Sequence, residues 1–167
     1  MQKRSSAKTR PRRHVAHAAA AAPARTGQPI EAQVYVNMTR TQDELWNGFV
    51  PLLREHDLTH QQYNVLRVLR DGEPRGQACQ ALAERLIYRV PDITRLVDRL
   101  GSRGLVERAR IEADRRVVLV RLTAKGADLL ARLDRPIDDV HRGQLAHLTR
   151  RELNELNRLL LKARAAP

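Results

Sequence analysis

The spacing of apolar residues changes twice along this chain. Between about residue 30 and residue 103, several stretches carry apolar residues three or four positions apart, the period of helices that bury one face. The segments GLVERARI and VVLVRL, within residues 104–122, are short and rich in β-branched side chains, which favours two strands. Helical spacing returns from about residue 124. The pattern therefore predicts a mainly α-helical domain with a small β-hairpin.

Two helices are expected in the first part of this pattern. Residues 30–56 predict one long helix that Pro51 bends or interrupts. Thr59 and Gln62 stand at capping-box spacing before the next helix, which is expected to stop at the Asp-Gly pair of residues 71–72.

Two shorter helices follow. The segment ACQALAERL predicts a helix with Leu82 and Leu86 facing inward, and PDITRLVDRLGSRG predicts another with Pro91 in its first turn and Gly104 beyond its end. At about 100° per residue, this last helix has one apolar and one polar face. The apolar face comprises Ile93, Leu96, Val97 and Leu100, and the polar face comprises Pro91, Thr94, Arg95, Asp98, Arg99 and Ser102.

Two short helices joined by a tight turn and followed by a hairpin are the elements of a winged helix-turn-helix. We predict such a DNA-binding lobe over residues 58–122, with residues 105–122 as its wing and residues 112–116 as the wing tip. Its second short helix is the recognition helix, whose first turns enter the major groove while later residues meet phosphates. The residues expected to reach bases are Arg89, Pro91, Asp92, Thr94 and Arg95, and those expected to contact phosphates are Arg99 and Arg103.

The charge of the chain indicates the kind of partner. A formal net charge of +12 and a pI near 11.2 favour a polyanion, with double-stranded DNA ahead of an anionic membrane. Residues 1–29 hold seven basic and no acidic side chains and show no apolar periodicity, which predicts a disordered basic arm. The arm's Arg12-Arg13 pair imitates an export signal, but the alanine run after it is short and interrupted by His17. No segment approaches the roughly 20 apolar residues of a membrane span. A single cysteine suits a reducing setting, so a cytoplasmic protein is expected.

Patterns typical of enzymes do not occur in the sequence. It has no Ser-His-Asp signature, glycine-rich phosphate loop or metal motif, so we expect neither an enzyme nor a cofactor. The single cysteine, Cys79, excludes an internal disulfide, and its apolar surroundings favour a core position over an oxidant sensor. Zinc binding by histidines is disfavoured, because His56 and His60 straddle a predicted helix boundary and no cysteine cluster accompanies them.

Four short motifs resemble those of a known family. In this order and at close spacing, TRLVDRL, RGLVER, DRR and LTAKG resemble the MarR family of bacterial transcriptional regulators, with a weaker likeness from about residue 30 to residue 165. The resemblance implies that the wing tip lies against the minor groove, where a narrow groove attracts arginine. The implied contacts are Arg115 and Arg116, with Asp114 orienting one of them by an ion pair. The alternative is an exposed turn that this ion pair stabilises.

The start of the recognition helix departs from the family's pattern. Many members have a polar or basic residue followed by Ser or Thr, whereas this chain has Val90, Pro91 and Asp92. Pro91 cannot hydrogen-bond a base, and phosphate repels Asp92 unless its carboxylate accepts from a cytosine or pairs with an arginine. The operator sequences of relatives therefore do not transfer to this chain.

The C-terminal segment suits a dimer interface. A helix from about residue 124 is expected to bend near Pro136, and Thr149 with Glu152 caps a second helix. Residues 30–56 together with residues 124–165 resemble the family's intertwined dimer interface. That implies a homodimer on a pseudo-palindromic site with half-sites roughly 10 base pairs apart. The apolar side chains of the last helix are Leu153, Leu156, Leu159, Leu160 and Leu161.

The resemblance also implies a small-molecule effector, because MarR-like proteins often bind aromatic acids or phenols between the dimer helices and the DNA-binding lobe. The candidate pocket residues are Trp46, Phe49, His56, His60 and Tyr63, of which Trp46 and Phe49 also suit a core. Two functions remain open. One is a sequence-specific regulator, a dimeric repressor that an aromatic ligand releases; the other is a sequence-indifferent architectural DNA-binding protein.

Overall fold

A computed structural model of the chain describes residues 27–87, 90–110 and 118–165. Two compact units divide the chain, Met1–Asn37 and Met38–Pro167. In the first unit the described residues form the start of a long helix on which Ile30 and Tyr35 are largely exposed. The helices are α1 (Ile30–Glu55), α2 (His60–Arg70), α3 (Cys79–Arg85), α4 (Ile93–Ser102), α5 (Ala124–Gln144) and α6 (Arg150–Arg164), and the strands are β1 (Gln77–Ala78), β2 (Val106–Arg110) and β3 (Val118–Leu122).

The predicted mainly helical architecture with a small antiparallel hairpin is confirmed. The strands β2 and β3 pair antiparallel, with Val106 opposite Leu122 and Arg110 opposite Val118. A third strand, β1, pairs with the other edge of β3 and was not predicted. Two residues are too few to show a period, so only the pairing with Val120 makes this segment a strand. Gly76 before it has a φ of +98°, and a Cβ there would meet the carbonyl of Val120.

Both prolines predicted to disturb helices lie within continuous helices. Pro51 lies in α1 and Pro136 in α5, so the expectation that Pro51 could interrupt its helix is wrong. Proline has a φ value that a helix accepts, and its cost is confined to one missing hydrogen bond and a local clash. The packing of Leu53 in the core, where it is 2% exposed, keeps this end of α1 in place.

The helix caps form as the sequence predicted. The Thr59 hydroxyl accepts a hydrogen bond from the backbone N–H of Gln62 at 3.2 Å, and the Gln62 side chain accepts one from the Thr59 N–H at 2.9 Å. Thr149 and Glu152 form the same reciprocal pair at the start of α6. These caps satisfy N–H groups that a helix start leaves without an internal partner.

The core joins the helix-turn-helix to α5 and the sheet. Leu66 of α2, Leu82 of α3 and Leu100 of α4 are fully buried together with Val120 of β3 and Leu130 of α5. The predicted inward position of Leu82 is thereby confirmed. Because these side chains come from five elements, the packing fixes the orientation of α4 relative to α2, α5 and the sheet.

Candidate DNA-binding surface and cavity

The recognition helix α4 begins at Ile93, two residues after Pro91, which was predicted to lie in its first turn. Pro91 precedes the helix, and Asp92 is its N-cap. The Asp92 carboxylate accepts a hydrogen bond from the backbone N–H of Arg95 at 2.9 Å, so part of its hydrogen-bonding capacity serves the helix. The sequence signal was present, since aspartate is a preferred N-cap residue. Asp92 was nevertheless considered only as a base contact or an ion-pair partner.

The two predicted faces of α4 are present. Leu96, Val97 and Leu100 are 9%, 1% and 0% exposed, and Ile93 packs partly buried against the same core. The opposite face lies in solvent and presents Thr94, Arg95, Asp98, Arg99 and Ser102. A helix anchored along one side and polar along the other can enter a DNA groove without unfolding any of the core. Arg89, predicted to contact bases, lies outside the described residues.

The hairpin is attached to α4 by an ion pair. The Arg108 guanidinium on β2 lies 2.6 Å from the Asp98 carboxylate on α4. A second pair, Arg121 with Glu107 at 2.7 Å, bridges β3 and β2. The pair to Asp98 neutralises an acid on the face of α4 that would otherwise repel phosphate. Sequence reasoning assigned Arg108 only to a strand, because no local pattern shows contact with a residue ten positions earlier.

The tip of the wing lies beyond the described part of the hairpin. Asp114, Arg115 and Arg116, the predicted minor-groove residues, all fall in the segment between β2 and β3 that the structure does not describe. Their role as DNA contacts therefore stays a prediction from the sequence.

Arg103, expected at a phosphate, has a different environment. It is the C-cap residue of α4, and its guanidinium donates hydrogen bonds to two backbone carbonyls of the turn between α1 and α2. The distances are 2.6 Å to the oxygen of Asp57 and 2.9 Å to the oxygen of His56. These carbonyls lie just beyond the end of α1, where backbone oxygens lack helical partners. Arg103 thus joins the end of the recognition helix to the end of α1.

A cavity of about 410 Å³ lies beside that turn. Of the five residues predicted to line a ligand pocket, the structure brings Trp46, Phe49 and His60 together there. Tyr63 is instead buried in the core, and the His56 side chain does not belong to the lining. The wall is completed by Val50, Leu53, Arg54, Asp57, Leu58, Thr59 and Gln61.

Aromatic contacts shape this cavity. The rings of Trp46 and His60 lie 3.7 Å apart between centroids, and Phe49 meets His141 of α5 edge-on at 4.6 Å. Burial, helped by the nearby charge of Arg67, lowers the pKa of His60 to about 4. His60 is therefore neutral at pH 7, so Arg54 is the cationic side chain among the lining residues.

The structure also shows the surroundings of the cysteine and of those histidines that lie among the described residues. Cys79 is partly buried against the core, in agreement with the predicted core position. No group of three or more His, Cys, Asp or Glu side chains that could hold a metal ion lies within residues 27–87, 90–110 and 118–165. In the same ranges no helix is both long and apolar enough to cross a membrane.

Comparison with known proteins places this arrangement among transcriptional regulators. The family described as "Transcriptional regulator SarA/Rot" matches residues 47–133. A homoprotocatechuate degradative operon repressor from Escherichia coli is 27% identical over 125 residues, which cover 75% of this chain and 83% of the repressor.

Two solved structures extend the comparison. A MarR transcription factor from Planctomyces limnophilus is 43% identical with a TM-score of 0.63, over 80% of this chain and 96% of that chain. A mutant MarR from Escherichia coli, solved in complex with operator DNA, is 27% identical with a TM-score of 0.71, over 80% of this chain and 95% of its own. These homologues are transcriptional regulators rather than enzymes.

Proposed function

We propose that this chain, which belongs to the MarR family of winged-helix DNA-binding transcriptional regulators, is a dimeric repressor of bacterial genes that a small aromatic ligand releases from its operator. The observation that carries the proposal is the solvent-facing side of α4, where Arg95 and Arg99 project from a helix whose other side is anchored in the core. Such a regulator acts in the cytoplasm, where its DNA is.

In this proposal the contacts divide by position on the helix. Thr94 and Arg95 lie in the first turn of α4, so they reach base edges in the major groove, while Arg99 contacts phosphate one turn later. Asp92 caps the helix beside them and helps to hold Arg95 in place. We also propose, from the sequence, that Arg89 meets the groove edge and that Asp114, Arg115 and Arg116 bring the wing to the minor groove.

A second copy of the chain completes the binding unit. No residue of α6 is buried within the chain, and Leu156, Leu159 and Leu161 are 39%, 48% and 51% exposed. A monomer in water would leave this apolar surface uncovered, and a two-fold partner removes it. We therefore propose that residues 30–56 and 124–165 form the dimer interface. The two α4 helices would then lie about one DNA turn apart on a pseudo-palindrome.

The cavity suits an aromatic acid. Its volume of about 410 Å³ falls within the range of small-molecule pockets, Trp46 and Phe49 offer flat apolar contact, and Arg54 offers a charge partner for a carboxylate. The Escherichia coli repressor described above is named for the degradation of homoprotocatechuate, itself an aromatic acid. The compound in this name and the lining of the cavity together support aromatic acids as the ligand class of this chain.

The DNA-binding proposal is tested by fluorescence anisotropy. The full chain is titrated against a labelled duplex from its own upstream intergenic region and against a shuffled duplex of equal length, at several salt concentrations. A regulator should bind the native duplex about a thousand-fold more tightly, the usual margin of specific recognition. Equal affinities with parallel salt slopes, for this duplex and for sites selected from a random library, would instead identify an architectural DNA-binding protein.

The ligand proposal is tested by calorimetry with homoprotocatechuate, salicylate and related aromatic acids. Binding should weaken strongly in Trp46→Ala and Arg54→Met, while Arg75→Met, at an exposed position between α2 and β1, serves as a matched control. Absence of heat from every compound in the panel would remove the support for an aromatic effector.

A further inference from the structure

One turn of the chain belongs to both the cavity and the support of the recognition helix. The turn follows α1 and comprises residues 56–59. Its Asp57, Leu58 and Thr59 line the cavity, while the carbonyls of His56 and Asp57 accept the two hydrogen bonds of Arg103. The same short segment therefore contacts the cavity on one side and the end of α4 on the other.

The conformation of this turn ties its backbone carbonyls to the cavity wall. Asp57 has a φ of +53°, in the left-handed region that residues other than glycine rarely adopt. The Leu58 N–H closes the turn on the Leu53 carbonyl at 2.9 Å, and the Leu58 side chain is 5% exposed in the core. A cavity occupant that displaces Leu58 or Asp57 must therefore move the two carbonyls that Arg103 holds.

Arg103, which donates to the carbonyls of this turn, is itself held in place by its neighbours. Arg103 follows α4 directly, so a shift of its side chain acts on the last turn of that helix. The Lys125 ammonium, at the start of α5, donates to the Arg103 carbonyl at 2.8 Å, which fastens the backbone of the same residue. Arg103 is thus held by three elements, the turn after α1, α4 and α5.

We propose that Arg103 is the positioning residue that couples the cavity to the DNA-binding face of α4. This inference rests on the proposed function, because it takes α4 as the helix that binds DNA. Coupling between two sites is reciprocal, so DNA bound at α4 changes the affinity of the cavity for an occupant by the same factor by which that occupant changes the affinity for DNA. The cavity therefore differs between the free and the DNA-bound protein. The coupling can therefore be measured with DNA alone, before any effector is known.

The chain carries its own reporter of the cavity. Trp46 is its one tryptophan and lines the cavity, and the centroid of its ring lies 3.7 Å from that of His60. Its emission therefore responds to small rearrangements of the wall. The experiment records Trp46 emission while the full chain is titrated with a duplex at low salt, where even a shuffled duplex is bound. The anisotropy of the labelled duplex reports binding in the same samples.

We expect DNA to change Trp46 emission in the wild type and to leave it unchanged in Arg103→Met, which keeps the length of the side chain and removes its donors. The affinity of Arg103→Met for DNA should stay within about fivefold of the wild type, the lower end of typical couplings between sites. Arg103→Lys keeps a cationic donor but lacks the planar guanidinium whose two nitrogens each donate to one carbonyl, so it should restore part of the response. Arg99→Met should weaken DNA binding yet keep the full emission change at saturation.

The outcomes separate the two proposals. If the wild-type chain shows no preference for the native duplex over the shuffled one, the proposed regulator is overturned. The emission test stays valid in that case, because it uses low salt, where any duplex is bound. Unchanged Trp46 emission in a wild-type chain that anisotropy shows to be saturated with DNA overturns the coupling, as does an undiminished response in Arg103→Met. If circular dichroism shows that Arg103→Met is unfolded, Arg103→Gln takes its place under the same criteria.

Discussion

Nη1 of Arg70, the last residue of α2, donates to both carboxylate oxygens of Asp134 on α5, at 2.8 and 2.9 Å. The hydrogen bond with Asp134 is the main cause that raises the pKa of Arg70 above its usual value. The pair joins α2, the helix that precedes the two helices of the helix-turn-helix, to α5, a helix proposed for the dimer interface. Both side chains remain partly in solvent, 35% and 50% exposed, which limits the strength of the pair.

Breaking this pair should reduce stability slightly but measurably. We expect a double-mutant cycle of Arg70→Met and Asp134→Asn to give a coupling of about 0.5–1 kcal/mol in the free energy of unfolding, measured with urea. The matched control is the pair of Arg142 with Asp139, which lies within α5 and joins no second element. A cycle on Arg142 and Asp139 should give about 0.3–0.5 kcal/mol or less. Equal couplings in the two cycles would show that Arg70 and Asp134 add nothing to the packing of α2 on α5.

Asp92 should matter to the recognition helix as a cap. Replacing it with alanine removes the acceptor of the Arg95 N–H and should lower the free energy of unfolding by about 1 kcal/mol. Asp92→Ser, which keeps an acceptor and removes the charge, should recover most of that loss. Urea denaturation followed by circular dichroism measures both variants. Equal destabilisation by alanine and serine would mean that the charge of Asp92, rather than its acceptor, stabilises the helix.

The sequence predicted those parts of the fold that short stretches of chain determine. The capping box of Thr59 and Gln62, the apolar face of α4 and the hairpin of β2 and β3 each follow from a local spacing or a residue preference. Strand β1 exists only through pairing with β3, so its two residues carried no signal of their own. The assignment of Pro91 to the first turn of α4 failed because the competing cap, Asp92, was not weighed.

The residue types of the candidate site could also be predicted from the sequence, whereas its long-range contacts could not. Trp46, Phe49 and His60 were chosen for their residue types, and the turn after α1 brings the end of that helix and the start of α2 together around one cavity. The carbonyl contacts of Arg103 join residues that are 46 and 47 positions apart, and no local pattern contains them. A long-range contact of this kind becomes visible only when the packing of α4 against the end of α1 is known.

Burial of His60 should make stability depend on pH. Its pKa of about 4 in the folded chain lies below the ordinary value of 6.5, so the unfolded chain binds a proton first as the pH falls. The contribution of the neutral His60 ring to the free energy of unfolding is therefore complete above pH 6.5 and is lost progressively as the pH falls toward 4. It should amount to about 1–2 kcal/mol after allowance for the partial exposure of the ring.

The variant His60→Gln isolates this effect from the titration of carboxylates. Urea denaturation of wild type and variant at pH 7.5, 6 and 5 should show the difference in unfolding free energy moving in favour of the variant as the pH falls. A difference that stays constant over this range would mean that His60 titrates normally in the folded chain.

Substitutions of the two arginines on the solvent-facing side of α4 should change DNA binding in different ways. Arg95→Ala should weaken binding to the preferred duplex by about 1–3 kcal/mol and reduce discrimination against other sequences. Arg99→Ala should weaken binding to all duplexes alike and reduce the dependence of log K on log salt by about one. Anisotropy titrations at several salt concentrations measure both quantities, with Arg75→Ala, an exposed arginine outside α4 and the wing, as control. Identical behaviour of the two variants would show that α4 does not enter the groove by its first turn.

Removal of residues 1–29 should change the electrostatics of DNA binding and leave its specificity intact. The segment carries seven basic and no acidic side chains, so it can add phosphate contacts, which strengthen binding but carry no sequence information. We expect the truncated chain to bind every duplex more weakly, with a shallower salt dependence and the same ratio between native and shuffled duplexes. Anisotropy titrations of the full and truncated chains at matched salt concentrations measure this ratio. A fall in the ratio would assign sequence discrimination to the arm, as in proteins that extend a basic arm into the minor groove.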